Sequence, residues 1–304
     1  MDTHAVNRTK PLVSVIMPAW NASSTVATAV NSILSQRLRS LELIVLDDNS
    51  DDETRTIVQK LSTEDSRLRL VTVEEEDPLR IDWRGRNVNA GWRARNLGMK
   101  VARGRYITFQ DADDWSLLNR LEIQVRLLQV HNLVHLTTSV FFADTDLLGR
   151  YLDVARFLGS GGYLEPAMDE RALFQLAHSC RGVAGTLLPA SIFCAIPFRV
   201  KSARLIRKFF YSGFDSFPGG ANNSIFDARA KEFVQFRSLD EREWPSLRGR
   251  GADRDFAFHL ASKFGASAHI DIPLYAWNTP TKFNTNWKVE ELLREDNAGI
   301  GRFI

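Results

Sequence analysis

Residues 104–115 read GRYITFQDADDW, and residues 41–51 read LELIVLDDNSD. In each, a short apolar run rich in β-branched or aromatic side chains stops at a group of aspartates. A largely apolar run of this length is what a strand buried on both faces requires, as in a parallel sheet covered by helices. Residues 12–17 form a further run that ends at Pro18, and residues 68–73 another. Between these runs the apolar period becomes helical. Val26, Ala29, Val30, Ile33 and Leu34 share one face of a predicted helix over 25–36, with Ser23 or Ser24 as its cap. Ser50 and Glu53 have capping-box spacing ahead of Ile57, Val58 and Leu61. Trp92, Ala94, Leu97, Met99 and Val101 predict a helix that stops at Gly104, after which a strand over 105–109 leads to the aspartates. Strands alternating with helices predict an α/β fold: a mostly parallel, Rossmann-like central sheet with helices on both faces. Ligands of such sheets lie beyond the carboxyl ends of the strands.

Asp47 and Asp48 end one strand and Asp111 and Asp113 another, which sets four carboxylates on one edge of the sheet, with Asp114 adding charge. Mutual repulsion makes such a group costly unless a cation or hydrogen-bond donors compensate it. Oxygen-only ligands suit Mg²⁺ or Mn²⁺, either of which keeps coordination positions open for a diphosphate. Aspartates also follow strands because they favour turns and cap helices, and Asp51 and Asp52 are read that way. Asp111 and Asp113, joined by a second acidic strand end, are read as functional.

The remaining chain bounds the function by exclusion. At 304 residues, with 44% hydrophobic and 25% charged side chains, it has the composition of a globular, enzyme-sized protein. Thirty-nine basic side chains against 37 acidic give a formal charge of +2, so nothing draws the whole molecule toward nucleic acid. Cys180 and Cys194 lack metal-ligand spacing and are read as buried, reduced thiols. Residues 1–10 carry no apolar signal core, and no run reaches the roughly 18 apolar residues of a membrane span. The expectation is a cytoplasmic location with at most peripheral contact at the inner face of a membrane.

Residues 74–86 are too polar for core and read as a surface loop. Further on, helices are expected over 117–133, around 172–177 and over 253–264, a strand over 134–142, a short apolar run at 183–188 and a mobile loop at 212–223. Arg248, Arg250 and Arg254 surround Gly249 and Gly251 and offer guanidinium groups to a diphosphate or to solvent. Lys201, Arg204, Arg207 and Lys208 form either a solvated helix face or a patch for an anionic acceptor or a membrane surface. Trp83, Trp92, Trp244 and Trp277 are either core anchors or platforms for sugars. His259, a lone histidine on an amphipathic helix, is assigned no metal.

Taken together, VSVIMPAWN (13–21), LELIVLDDNSD (41–51), ARNLG (94–98) and GRYITFQDADDW (104–115) resemble glycosyltransferase family 2 in content, order and spacing. The resemblance is dense over residues 11 to about 125. It implies a GT-A fold, inverting chemistry and usually a UDP-sugar donor. By position, Asp48 would hold the nucleotide base, Asp111 would approach the ribose or sugar, and Asp113, with Asp111, would bind Mn²⁺ or Mg²⁺. Pro18 and Ala19 would touch the nucleotide through backbone, and Asn21, Arg95 and Arg250 complete the expected donor-binding set. The family's base commonly lies in a Glu-Asp pair opening a helix in the second half, and GADRDFAFHL (251–260) resembles that segment with Ala252 in place of the glutamate. Asp253 is then the candidate base, with Asp255 as the alternative. The implied organisation is a tail over 1–10, a donor-binding half over 11–115, an acceptor and catalytic half of the same domain over 116–280, and a tail over 281–304.

The implied reaction is transfer of a single sugar to a saccharide or other hydroxyl-bearing acceptor in polysaccharide or glycoconjugate synthesis. The Gln-x-x-Arg-Trp motif and membrane spans of processive synthases are missing. Two rivals remain. A nucleotidyltransferase would place a glycine-rich basic loop where PAWNASS follows the first strand, and a dinucleotide fold would place G-x-G-x-x-G there. A sugar-nucleotide-binding protein without turnover is the other, and Ala252 permits it.

Overall fold

A computed structural model describes residues 10–74, 80, 91–143, 147–211, 220–244, 251–278 and 288–296. The strands are β1 (Val13–Ala19), β2 (Leu41–Asp47), β3 (Leu68–Thr72), β4 (Tyr106–Phe109), β5 (Trp115–Ser116), β6 (His135–Ala143), β7 (Arg150–Leu152), β8 (Ser224–Asp227), β9 (Ser267–Asn278) and β10 (Leu293–Glu295). Eight of them form one sheet in the order β3-β2-β1-β4-β8-β6-β9-β5, and β7 pairs with β10 separately. The first four sheet strands are parallel, as the apolar runs require. The chain moves outward from β1 through β2 to β3, then returns to place β4 on the other side of β1. That reversal opens a crevice at the carboxyl ends of β1 and β4.

The second half departs from a simple parallel plan. β8 is antiparallel to both of its neighbours, and β9 runs parallel to β6 with register shifts on either side of Ser139. Pro273, which cannot donate to a ladder, lies at this irregularity and hid the strand from an apolar count. The 183–188 run is not extended but belongs to a helix, Gly182–Leu187.

Both sheet faces are covered. Val13, Val15, Met17, Leu43 and Val45 pack on one side beneath helices α1 (Val26–Leu34) and α2 (Thr54–Glu64), while Ile16, Ile44 and Leu46 pack on the other. Helix α3 (Trp92–Val101) lies so close to that second face that a Cβ at Gly98 would sit 2.4 Å from Ile16 Cγ2. Helix α4 (Arg120–Val130) covers the first face beside β6. The helix Ala252–Lys263 is anchored by Phe256, stacked on Phe236 at 4.2 Å and edge-on to Phe109 at 5.6 Å. Such ring pairs stabilise beyond their buried area.

The loops between helices and strands are tied differently from the expected caps. Neither Ser23 nor Ser24 caps α1, whose N-cap Thr25 makes no side-chain capping bond, and the Ser50–Glu53 box does not form. Instead Asp52 accepts the Thr54 hydroxyl at 2.5 Å, the Thr54 amide at 2.9 Å and the Ser23 amide at 3.0 Å. The Thr54 hydroxyl, with the Ser23 and Thr54 amides, holds the Asp52 carboxyl well below the usual range. Asp52 thus acts as the turn and cap residue the sequence suggested. Both cysteines are free, but only Cys180 is fully buried and Cys194 is partly exposed.

Two histidines are enclosed between strands. His135 hydrogen-bonds Ser267 and Ser224 at 3.3 and 3.4 Å, and His269 meets Thr137 at 3.0 Å. Burial lowers His135 to about 3 and His269 to about 4, from an ordinary 6.5. The unfolded chain therefore binds more protons once the pH falls below about 6.5, and stability is lost as the pH drops toward 4. We expect urea denaturation at about pH 7, 6 and 5 to show a decline approaching about 1.4 kcal/mol per pH unit for each histidine. Substituting both with Gln should flatten that slope, and an unchanged slope would dismiss the histidines as its origin.

Candidate functional site

The crevice at the β1 and β4 ends is a cleft of about 550 Å³. Pro18, Ala19, Asn21, Asp48, Arg95, Asp111, Asp113 and Asp253 all line it, so the structure brings together the expected donor, metal and base positions from five separate parts of the chain. Arg250, Arg248 and Trp83 lie outside the described residues.

The two aspartates of β2 part company. Asp47 is fully buried and turns to Arg55, which donates through Nε at 2.7 Å. It is a structural ion pair and not a member of the expected four-carboxylate group. Asp48 faces the cleft, its amide fixed to the Ala19 carbonyl at 2.8 Å. Arg80 pairs with its Oδ1 at 2.5 Å, donates to its carbonyl at 2.6 Å and lies 5.3 Å from the ring of Trp20.

The second acidic strand end holds the cluster. Carboxylate oxygens of Asp111, Asp113 and Asp114 come within 4.8 Å of one another. Asp114 is buried and accepts the Tyr275 hydroxyl and the Asn278 amide, both at 2.9 Å, while the Asp111 amide donates to the same Tyr275 oxygen at 3.0 Å. Asp111 accepts Arg95 Nη2 at 2.6 Å and the Asn222 side-chain amide. Asp113 alone is exposed. Burial raises Asp111 to about 6, with Asp253 and Asp113 adding to the rise and Arg95 opposing it. Burial and the charges of Asp111 and Asp113 raise Asp114 to about 8. A cluster whose protons are held this strongly is short of positive charge. Its oxygen-only donor set fits Mg²⁺ or Mn²⁺, with Asp113 and Asp111 presented to the cleft and Asp114 occupied behind them.

Arg95 joins the two sides of the cleft. It is only 2% exposed and lies 3.9 Å from Asp253 Oδ1 and 2.6 Å from Asp111 Oδ1. Burial works against its charge, but Asp253 and Asp111 outweigh burial and hold it protonated. Gly91, just ahead of α3, has φ +64° and would bring a Cβ within 3.1 Å of Pro18, so only glycine sets Arg95 at this depth without strain. Asp253 opens the helix Ala252–Lys263, and its Oδ1 makes no hydrogen bond among the described residues.

Asp255 requires a correction. It is fully buried, accepts two bonds from Arg237 at 2.7 and 2.8 Å, and caps the Glu243 and Trp244 amides at 2.8 and 3.1 Å. Fully buried, with its oxygens bound and outside the cleft lining, it is an anchor and cannot serve as the alternative base. Trp244 is likewise a core anchor, edge-on to Phe258 at 5.3 Å, whereas Trp277 stays partly exposed against Phe142 at 5.4 Å. Lys201 also leaves the expected basic patch: it is buried and donates to the Phe193 carbonyl at 3.1 Å.

Trp20, Arg80, Asn222, Tyr275 and Arg120 complete the site without having been assigned to it. Arg80 was hidden in the polar stretch 74–86, Asn222 in a segment read as a mobile loop, and Tyr275 in the unrecognised β9. Arg120 had a legible signal, because a lone cation between Leu117 and Leu121 stands on the apolar side of its helix. Its guanidinium, which burial lowers to about 10, donates to Thr108 and Ser116 at 2.7 Å, Phe109 O at 3.0 Å, Gln110 at 3.1 Å and Asn222 O. Gln110 in turn donates to the Asp114 carbonyl at 2.9 Å. Arg120 therefore frames the acidic turn from beneath. Arg120→Met should cost several kcal/mol in denaturation, at about 1–3 kcal/mol per acceptor left unpaired, and Lys should recover little because it lacks the planar fork. Wild-type stability in Arg120→Met would refute this role.

Residues 14–210 match the family model described as Glycosyl transferase family 2. Over 147 residues the chain is 35% identical to the Escherichia coli UDP-Glc:alpha-D-GlcNAc-diphosphoundecaprenol beta-1,3-glucosyltransferase WfgD, covering 48% of this chain and 51% of that protein. Over 104 residues it is 36% identical to the GalNAc(5)-diNAcBac-PP-undecaprenol beta-1,3-glucosyltransferase of Campylobacter jejuni subsp. jejuni serotype O:2, covering 34% and 30% of the two chains. The chain thus spans about half the length, or less, of these curated relatives. Among solved structures it resembles S. aureus TarS 1-349, with a TM-score of 0.51 and 17% identity over 87% of this chain and 59% of that one. That likeness shows the GT-A fold. The chain belongs to glycosyltransferase family 2.

Proposed function

We propose that this chain transfers a single sugar, with inversion, from a UDP-sugar to an acceptor hydroxyl in polysaccharide or glycoconjugate synthesis. The observation that carries the proposal is Asp253 facing the Asp111–Asp113 pair across Arg95 in one cleft. A base and a diphosphate-binding edge on opposite walls are what in-line displacement needs. The relatives support the donor and acceptor classes: WfgD is named for UDP-Glc and a diphosphoundecaprenol-linked sugar, and the Campylobacter protein for a PP-undecaprenol-linked saccharide. TarS, at a TM-score of 0.50, has been crystallised with UDP-GlcNAc.

In this reading the uracil lies against Asp48 and Trp20, and the backbone at Pro18 and Ala19 follows the nucleotide. Asp111, oriented by Arg95 and Asn222, meets the ribose or sugar. Mn²⁺ or Mg²⁺ held by Asp113 with Asp111 would neutralise charge on the leaving diphosphate. Asp253, which lines the cleft with its side chain 35% exposed, takes the acceptor proton as the acceptor oxygen attacks the anomeric carbon. The Asp255 anchor and the Phe236–Phe256 stack hold the helix that carries it.

Asp253→Asn keeps a side chain of similar size and capping ability, so loss of base function should appear alone. We expect kcat to fall by roughly 10² to 10⁴ with donor affinity near wild type. Near-normal transfer would sink the assignment, and failure of the wild type even to hydrolyse a donor it binds would favour the binding-protein reading.

Two binding measurements test the donor side. Calorimetric affinity for UDP should rise with Mn²⁺ in the wild type and lose that dependence in Asp113→Ala. Asp48→Ala should weaken UDP without metal as well, and equal affinities would remove Asp48 from the base site.

A further inference from the structure

The helices Gly182–Leu187, Ala190–Ala195, Phe198–Lys201 and Arg207–Phe210 fold over a small core of their own, in which Ala184, Phe193, Phe210 and Tyr211 are buried with Leu188 and Ile196 packed against them. Phe193 is its centre, with Arg181 4.7 Å and Lys201 4.9 Å from its ring. This explains why Lys201 is buried while its basic neighbours are not. Outside that core, Leu187, Ile192, Ile206 and Phe209 are exposed and Leu205 is 96% exposed. Arg199, Arg204, Arg207 and Lys208 are exposed in the same stretch, where every residue of 203–209 is exposed, and residues 182–211 contain no Asp or Glu.

We propose that this face docks on an anionic lipid bilayer. A solvated face would display the cations without the leucine, isoleucine and phenylalanine tips interleaved with them. Apolar tips entering the interface and cations meeting lipid phosphates are the two components of peripheral membrane binding. Charge complementarity selects this occupant over a second copy of the chain, because a two-fold contact would set Arg199, Arg204, Arg207 and Lys208 against their own equivalents. The proposal stands on the surface alone and does not depend on the donor or base assignments.

The test is flotation of the purified chain with phosphatidylcholine vesicles and with mixed phosphatidylglycerol–phosphatidylcholine vesicles at low salt. The wild type should float with the anionic vesicles and remain behind with phosphatidylcholine alone. Removing a cation should lower partition roughly fivefold, so Arg204→Gln with Arg207→Gln should lower it roughly 25-fold. Leu205→Glu with Phe209→Glu should abolish flotation while circular dichroism and gel-filtration elution volume stay unchanged. The proposal falls if the wild type does not float, if the variants float equally well, or if light scattering shows a dimer that Leu205→Glu dissociates.

Discussion

A guanidinium buried between carboxylates from opposite halves of the chain holds this site in its working shape. Arg95 comes from the parallel half, as does Asp111, while Asp253 comes from the helix after β8, and the guanidinium between them offsets the repulsion of the two carboxylates. The arrangement is mutually dependent. Burial disfavours the Arg95 charge and the two acids more than offset it, while Asp111 is raised by its surroundings even with Arg95 beside it. Gly91 and Gly98 set the depth of α3, and the Phe236 ring lies 5.5 Å from the guanidinium on its buried side.

The parallel half was legible because its physics is local. A strand buried on both faces is largely apolar, and β1, β2 and β4 are apart from Ser14, Glu42, Asp47 and Thr108, so their ends and the aspartates there follow from residues 13–19, 41–47 and 106–109. Asp48, Asp111 and Asp113 fell into the cleft for that reason. Asp47 shows the limit, since adjacent side chains on a strand point to opposite faces and only the position of Arg55 decides that its carboxylate is a structural one.

The antiparallel half was less legible because its positions are set by distant partners. β9 carries Pro273 and a register shift, so neither alternation nor an apolar run marks it, and Tyr275 within it was invisible as a neighbour of Asp114. Asp255 and Asp253 look alike in sequence, two residues apart at the start of one helix. What separates them is Arg237, which reaches Asp255 from a segment with no recognisable pattern and fixes the helix by its rear. Arg120 sits between these cases: its place on an apolar helix face announced a buried cation, but its acceptors come from β4, β5 and Asn222 and are a property of the assembled sheet.

Gly91, which caps α3, and Gly98 within it make the cleft asymmetric. At one end of the helix a methyl group would strike Pro18, and further along it would strike Ile16 and Leu46, so helix and sheet meet backbone to side chain with no layer between them that can slide. The wall bearing Arg95 and the ends of β1 and β2 is therefore one rigid jaw. Asp253 rides on a helix bedded against that same jaw, Phe256 lying on Phe109 and on Phe236, whose backbone Asn96 of α3 holds at 2.8 and 2.9 Å, so its position is set by the same frame.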